Sequence, residues 1–109
     1  MLAEEIENDV VKGVLEILQG NIEQIILYGS VARGEQGIES DIDIALILYS
    51  EMKDYEKRLL IDWSAEFDLS HNCVLSVVDI EKEQFEKWNN VLPFYRNICN
   101  EGVMLWRAV

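Results

Sequence analysis

The segment Tyr28-Gly29-Ser30-Val31-Ala32-Arg33-Gly34, followed after six residues by Asp41-Ile42-Asp43, holds the residue types that phosphate chemistry requires. Residues two apart on a strand share a face, with backbone positions about 6–7 Å apart, so Asp41 and Asp43 can converge on a shared ligand. Two carboxylates this close repel unless a proton or a cation lies between them. Their complement is a hard divalent ion with oxygen ligands. Gly29 ends an apolar run and permits close backbone approach, while the Ser30 hydroxyl and the amides after it, at a helix start, can hold phosphate oxygens. Arg33 is either a surface cation or a phosphate contact. Alone, Asp-x-Asp is a solvated edge and Gly-Ser an ordinary turn. Combined, they make Mg2+ the expected cofactor, since that ion is bound by one or two carboxylates and completed by substrate phosphates.

The elements that must position these residues are legible from periodicity. Ile6, Val10, Val14, Leu15, Ile17 and Leu18 recur near the helical period and stop at Gly20-Asn21, which predicts an amphipathic helix over residues 3–19, weakened a little by Gly13. Residues 22–28 predict a buried strand and residues 41–49 a central one, apolar on both faces after its start. Ser50 is expected to cap a helix striped by Tyr55, Leu59, Leu60, Trp63 and Phe67, with Lys53, Asp54, Glu56 and Lys57 turned to solvent. A strand over residues 73–79, a short helix from Glu81 carrying Phe85 and Trp88, a helix opened by Pro93 and closed by Gly102, and a strand over 103–106 complete the order α-β-α-β-α-β-α-α-β. This predicts an α/β fold, one sheet with helices packed on it.

At 109 residues the chain is expected to form a single domain, residues 1–109. Half its residues are hydrophobic and only one is proline, which excludes disordered and collagen-like classes. The net charge of -12 leaves no broad cationic surface for a nucleic acid, so none is expected as a direct partner, whereas a basic protein would be attracted at range. The longest apolar run, 42–49, is interrupted by Asp43 and falls far short of the roughly 20 residues of a membrane span. Glu4, Glu5 and Glu7 are the opposite of a signal-peptide start, so the expected location is cytoplasmic. Cys73 and Cys99 fit neither a zinc site nor a disulfide framework and read as buried reduced thiols. His71 reads as an exposed loop residue, and Trp63, Trp88, Phe67 and Phe85 as core.

Gly29, Ser30, Ala32, Arg33, Gly34, Ser40, Asp41 and Asp43 together resemble the signature of the MNT-type minimal nucleotidyltransferases of the DNA polymerase beta superfamily. The resemblance extends to the tail Leu92-Pro93-Phe94-Tyr95-Arg96-Asn97-Ile98, and it implies the nucleotidyltransferase fold with a mixed sheet. It also implies a third carboxylate on the third strand, in a segment resembling Val-Asp-Val-Val-Asp-Leu. Here that segment is Leu75-Ser76-Val77-Val78-Asp79-Ile80, with Ser76 at the acid's position. Asp79, three residues on, faces the other side of a regular strand unless a bulge intervenes. Glu35 and Glu39 are the other acids near Asp41.

The resemblance implies Mg-dependent transfer of AMP from ATP to a hydroxyl, with Gly29, Ser30 and Arg33 on the triphosphate and Asp41 and Asp43 as catalytic metal ligands. A chain of this length is not expected to carry a separate acceptor-binding domain. A partner protein would then supply the acceptor, in the resembled family a HEPN-domain toxin with the nucleotidyltransferase as its antitoxin. The competing expectation is a nucleotide-binding or inhibitory module, impaired by the loss of the acid at Ser76, that masks a basic partner.

Overall fold

The computed structural model describes residues 3–32 and 41–109, the side chains of Ser30 and Val31 excepted. The elements run α1 (Glu4–Ile17), β1 (Gln24–Tyr28), α2 (Gly29–Ala32), β2 (Ile42–Leu48), α3 (Asp54–His71), β3 (Leu75–Glu81), α4 (Lys82–Trp88), α5 (Pro93–Glu101) and β4 (Val103–Arg107). The strands form one mixed sheet in the order β3-β2-β1-β4. β1 is antiparallel to both β2 and β4, and β2 is parallel to β3, as α3 returning across one face requires.

Strand alternation divides the core into two layers. Ile25, Leu27, Ile44, Leu46 and Leu48 pack with Val10, Val14 and Leu18 of α1 and Leu60 and Phe67 of α3. Ile26, Ala45, Ile47 and Ile80 pack on the opposite face with Phe85 of α4 and Ile98 of α5. In β2 only Asp43 is not buried. Burying a branched apolar side chain is worth about 1.5–3 kcal/mol, so a carboxylate in the most enclosed strand is a costly choice for the fold alone.

Several expectations need correction. Ser50 does not cap α3: its backbone N–H and its hydroxyl both donate to Asn21 Oδ1, at 2.9 and 3.1 Å, tying the end of β2 to the turn before β1. α3 starts later, where Glu56 is buried rather than solvated and accepts the Lys53 backbone N–H at 2.8 Å. Tyr55 and Leu59 are exposed, because the helix rotates Leu60, Trp63 and Phe67 inward. Trp88 stands 36% exposed beyond the reach of the core. Cys99 is exposed and Cys73 half-buried, both as free thiols. Burial raises the pKa of each thiol, helped at Cys73 by the Asp68 charge. His71 is held rather than exposed in a loop: it ends α3, its ring lies on Phe67, and its Nε2 meets Asp9 Oδ2 at 2.9 Å. Among the described residues no helix is long and apolar enough to cross a membrane.

Candidate functional site

The site lies where β1 ends and β2 and β3 begin. Asp43 is paired across the sheet with Tyr28 on β1 and Ser76 on β3. Alternation puts all three on the α4/α5 side, with Ile26, Ala45 and Val78. Asp41 is exposed just ahead of β2, two positions from Asp43 and on the same side of the alternation. At Ile42 the backbone N–H donates to Val74 O at 2.8 Å, which holds this start against the approach to β3.

Gly29 makes the junction possible in two ways. Its φ of 76° lies in the left-handed region, where side chains are strained. A Cβ on it would also collide with Asp43 Oδ2, so the missing side chain is the space that the carboxylate occupies. Tyr28 shares this enclosure. Burial, and then the Asp43 charge, raises its pKa and keeps the phenol neutral. Its ring meets Phe94 of α5 edge-on, with centroids 5.7 Å apart.

The structure brings Gly29, Asp43 and Ser76 together and sets Asp41 at their edge. Ser30 is described only through its backbone in α2, while Arg33, Gly34, Glu35, Glu39 and Ser40 lie outside the described residues. Asp79 is on the other face: it pairs with Leu46 and lines a cavity with Leu60 and Val77 on the α1/α3 side. The ladder from Ile42–Leu75 to Leu48–Glu81 is continuous, with no bulge to turn Asp79 round. Among the described residues no group of three or more His, Cys, Asp or Glu side chains is gathered to hold a metal. Two carboxylates and a serine hydroxyl are nevertheless hard oxygen donors, and the space at Gly29 sets one of those carboxylates against the backbone. That set fits a divalent cation which takes its remaining ligands from a substrate. Sequence reasoning missed the aromatic contact of Tyr28 with Phe94, because no spacing rule joins β1 to α5.

Residues 12–108 match the family described as Polymerase beta, Nucleotidyltransferase. A Methanocaldococcus jannaschii protein provisionally named protein adenylyltransferase MJ0604 is 35% identical over 88 residues, covering 81% of this chain and 82% of that protein. Among solved structures, a chain of a toxin-antitoxin crystallised with AMP-PNP superposes with a TM-score of 0.64 at 20% identity, over 94% of this chain and 73% of that one. A chain of the tri-AMPylated Shewanella oneidensis HEPN toxin in complex with MNT antitoxin gives 0.60 at 17% identity, over 96% and 72%. These last two are likenesses of fold. With the family match over nearly its whole length and the relative of similar size, the chain belongs to the polymerase beta nucleotidyltransferase family.

Proposed function

We propose that residues 1–109 act as a single Mg-dependent nucleotidyltransferase domain that transfers AMP from ATP to a hydroxyl of a partner protein in the cytoplasm. The partner is a HEPN-domain toxin, and this chain is its antitoxin. The observation that carries the proposal is the Asp43 carboxylate set against Gly29 at the start of α2. The family, the relative named as a protein adenylyltransferase and the fold likeness to toxin-antitoxin complexes support it. The net charge of -12 suits a basic partner.

In the transfer the acceptor hydroxyl oxygen bonds to the α-phosphorus, the α–β bridging P–O bond breaks, pyrophosphate leaves and the hydroxyl proton is released. Mg2+ bound by Asp41 and Asp43 would supply neutralisation of phosphate charge. Gly29 and Ser30 hold the triphosphate at the β1–α2 turn, and Arg33 opposes its charge. Ser76 cannot take the acceptor's proton unaided at pH 7, so transfer is slow. The opposing reading, a nucleotide-binding module that masks its partner, is favoured by the same residue standing where a base would help.

Incubating the complex of the chain and its partner with labelled ATP separates the two. Label incorporated into the partner by wild type and lost with Asp41→Ala establishes the transferase. Absence of label at any ATP concentration leaves the masking module.

A further inference from the structure

Across the sheet from Asp43, a groove of about 530 Å³ runs between α1 and α3 over Gly13, Ile17, Leu59, Trp63 and Phe67. Its floor is aromatic and fixed. The Trp63 ring fills the space that a Cβ on Gly13 would need, Phe67 lies 5.4 Å from it between centroids, and the His71 ring lies 4.4 Å beyond Phe67. Folding leaves part of this apolar surface open, since Leu59 is 48% exposed and Trp63 only partly buried. The lining runs from Asp9 to Ile17 on α1 and from Leu59 to His71 on α3, so the groove follows about 12–18 Å of the two helix axes. That length and floor fit a helix, which docks in such a groove through side chains at i, i+3 or i+4, and i+7.

The rim selects the charge of that helix. Glu16, Asp62 and Glu66 stand exposed along it, while Asp9 is met by His71 Nε2 at 2.9 Å. Among the described lining residues the opposing lysine or arginine is Lys12. The whole chain, with every residue counted, carries -12, so an acidic helix or a second copy of this chain would be repelled. A guanidinium suits both parts of the groove, because it stacks on an aromatic face and pairs bidentately with a carboxylate.

We propose that the α1–α3 groove docks a basic amphipathic helix of a protein partner, with an arginine seated on the Trp63 ring and paired with the carboxylates of the rim. The groove and the Asp43 carboxylate lie on opposite faces of the sheet, so a helix held here leaves the candidate site open. The docking does not depend on nucleotidyl transfer.

Fluorescence anisotropy of the full chain with a labelled helical peptide of about 15 residues tests this, the peptide carrying Arg and Leu along one face and Ala and Gln elsewhere. The wild-type chain should bind it, more weakly as salt is raised. Asp62→Asn with Glu66→Gln should weaken binding roughly 2- to 30-fold, the range for two exposed ion pairs. Trp63→Leu should weaken it roughly 2- to 30-fold, the range for one cation–π contact. Because Trp63 also packs inside the protein, the exposed rim pair carries the test if that variant fails to fold. Glu5→Gln with Glu83→Gln removes the same charge outside the groove and should leave binding unchanged. The inference is overturned if the wild-type chain does not bind the peptide, if the control pair weakens it as much as the rim pair, or if a peptide with Glu in place of Arg binds as well. It is also overturned if the chain sediments as a dimer that the rim pair alters, because a second copy would then cover the groove.

Discussion

Ser76 stands directly opposite Asp43 in the parallel ladder of β2 and β3. The register is continuous from one end of the pair to the other, so no local irregularity brings Asp79 round to the Asp43 side. On β3 the place facing the site is held by a hydroxyl, and the nearest acid in sequence, Asp79, is exposed on the α3 side of the sheet.

Restoring a carboxylate at that place should therefore raise AMP transfer. A positioned general base typically contributes 10²–10⁴-fold, and Ser76→Asp should recover part of that factor in initial rates of labelled AMP transfer. The new carboxylate would face Asp43 across the ladder, so without divalent ions the variant should melt below wild type and regain stability when Mg2+ is added. Asp79→Asn should leave the rate unchanged. A rate indifferent to Ser76→Asp but abolished by Asp79→Asn would sink this assignment.

Gly29 and Gly20 form a matched pair for separating backbone strain from the site. Both have positive φ, at 76° and 75°, but a Cβ on Gly20 would meet nothing within 4 Å, whereas one on Gly29 would strike Asp43. Each alanine variant should lose about 1–2 kcal/mol from the left-handed backbone. Only Gly29→Ala should also abolish Mg-ATP heat in calorimetry, because it displaces the carboxylate. Equal ATP binding by the two variants would mean that Asp43 does not need its place against Gly29.

Much of this arrangement is legible in the sequence, because its determinants are local. Strand period places Asp41 and Asp43 on one side of β2 and sets Asp79 opposite Ser76 on β3, the family resemblance supplies the link between the two strands, and the apolar residues around Asp43 mark β2 as an inner strand. The errors fall where distant segments compete for a side chain. Ser50 has the chemistry of a cap, yet the Asn21 amide from the far end of β1 claims it first. His71 reads as a loop residue until α3 folds back on α1 and sets it against Asp9. The groove between α1 and α3 has no local signature, since it exists only once the two helices are packed together.

Gly13 is the sharpest case of a local rule overruled by packing. In a helix interior, alanine is favoured over glycine by about 1 kcal/mol. At Gly13, however, a Cβ would run into the Trp63 indole, which fills the position where α1 and α3 approach. Overpacking of this kind costs about 1–3 kcal/mol, so Gly13→Ala should lower stability in urea unfolding despite its better propensity. In a Trp63→Leu background the same change should become neutral or stabilising. Identical effects in both backgrounds would show that Trp63 does not impose the glycine.

At the end of the sheet away from the site, Lys82 Nζ meets Glu23 Oε2 at 2.9 Å and joins α4 to the start of β1. Burial alone would raise the Glu23 pKa, but hydrogen bonds from Gln24 and Lys82 and the charges of Lys82 and Arg107 outweigh it and hold the carboxyl below 4.5. Lys82 is raised above 10.5, first by its hydrogen bond to Glu23 and then by the charges of Glu23 and Glu86. A carboxylate with a depressed folded pKa stabilises above its unfolded value and loses that contribution as pH falls through the folded value. An amine with a raised one stabilises below its unfolded value and loses it as pH rises through the folded value. The difference in melting temperature between wild type and Lys82→Met should therefore be flat between about pH 4.5 and 10.5 and shrink on either side. Lys82 is open to solvent, so added salt should narrow the difference at neutral pH as well. A difference that persists unchanged in acid and at high salt would mean that the Lys82 ammonium over the Tyr49 ring, 5.6 Å from its centroid, rather than the pair with Glu23, holds α4 in place.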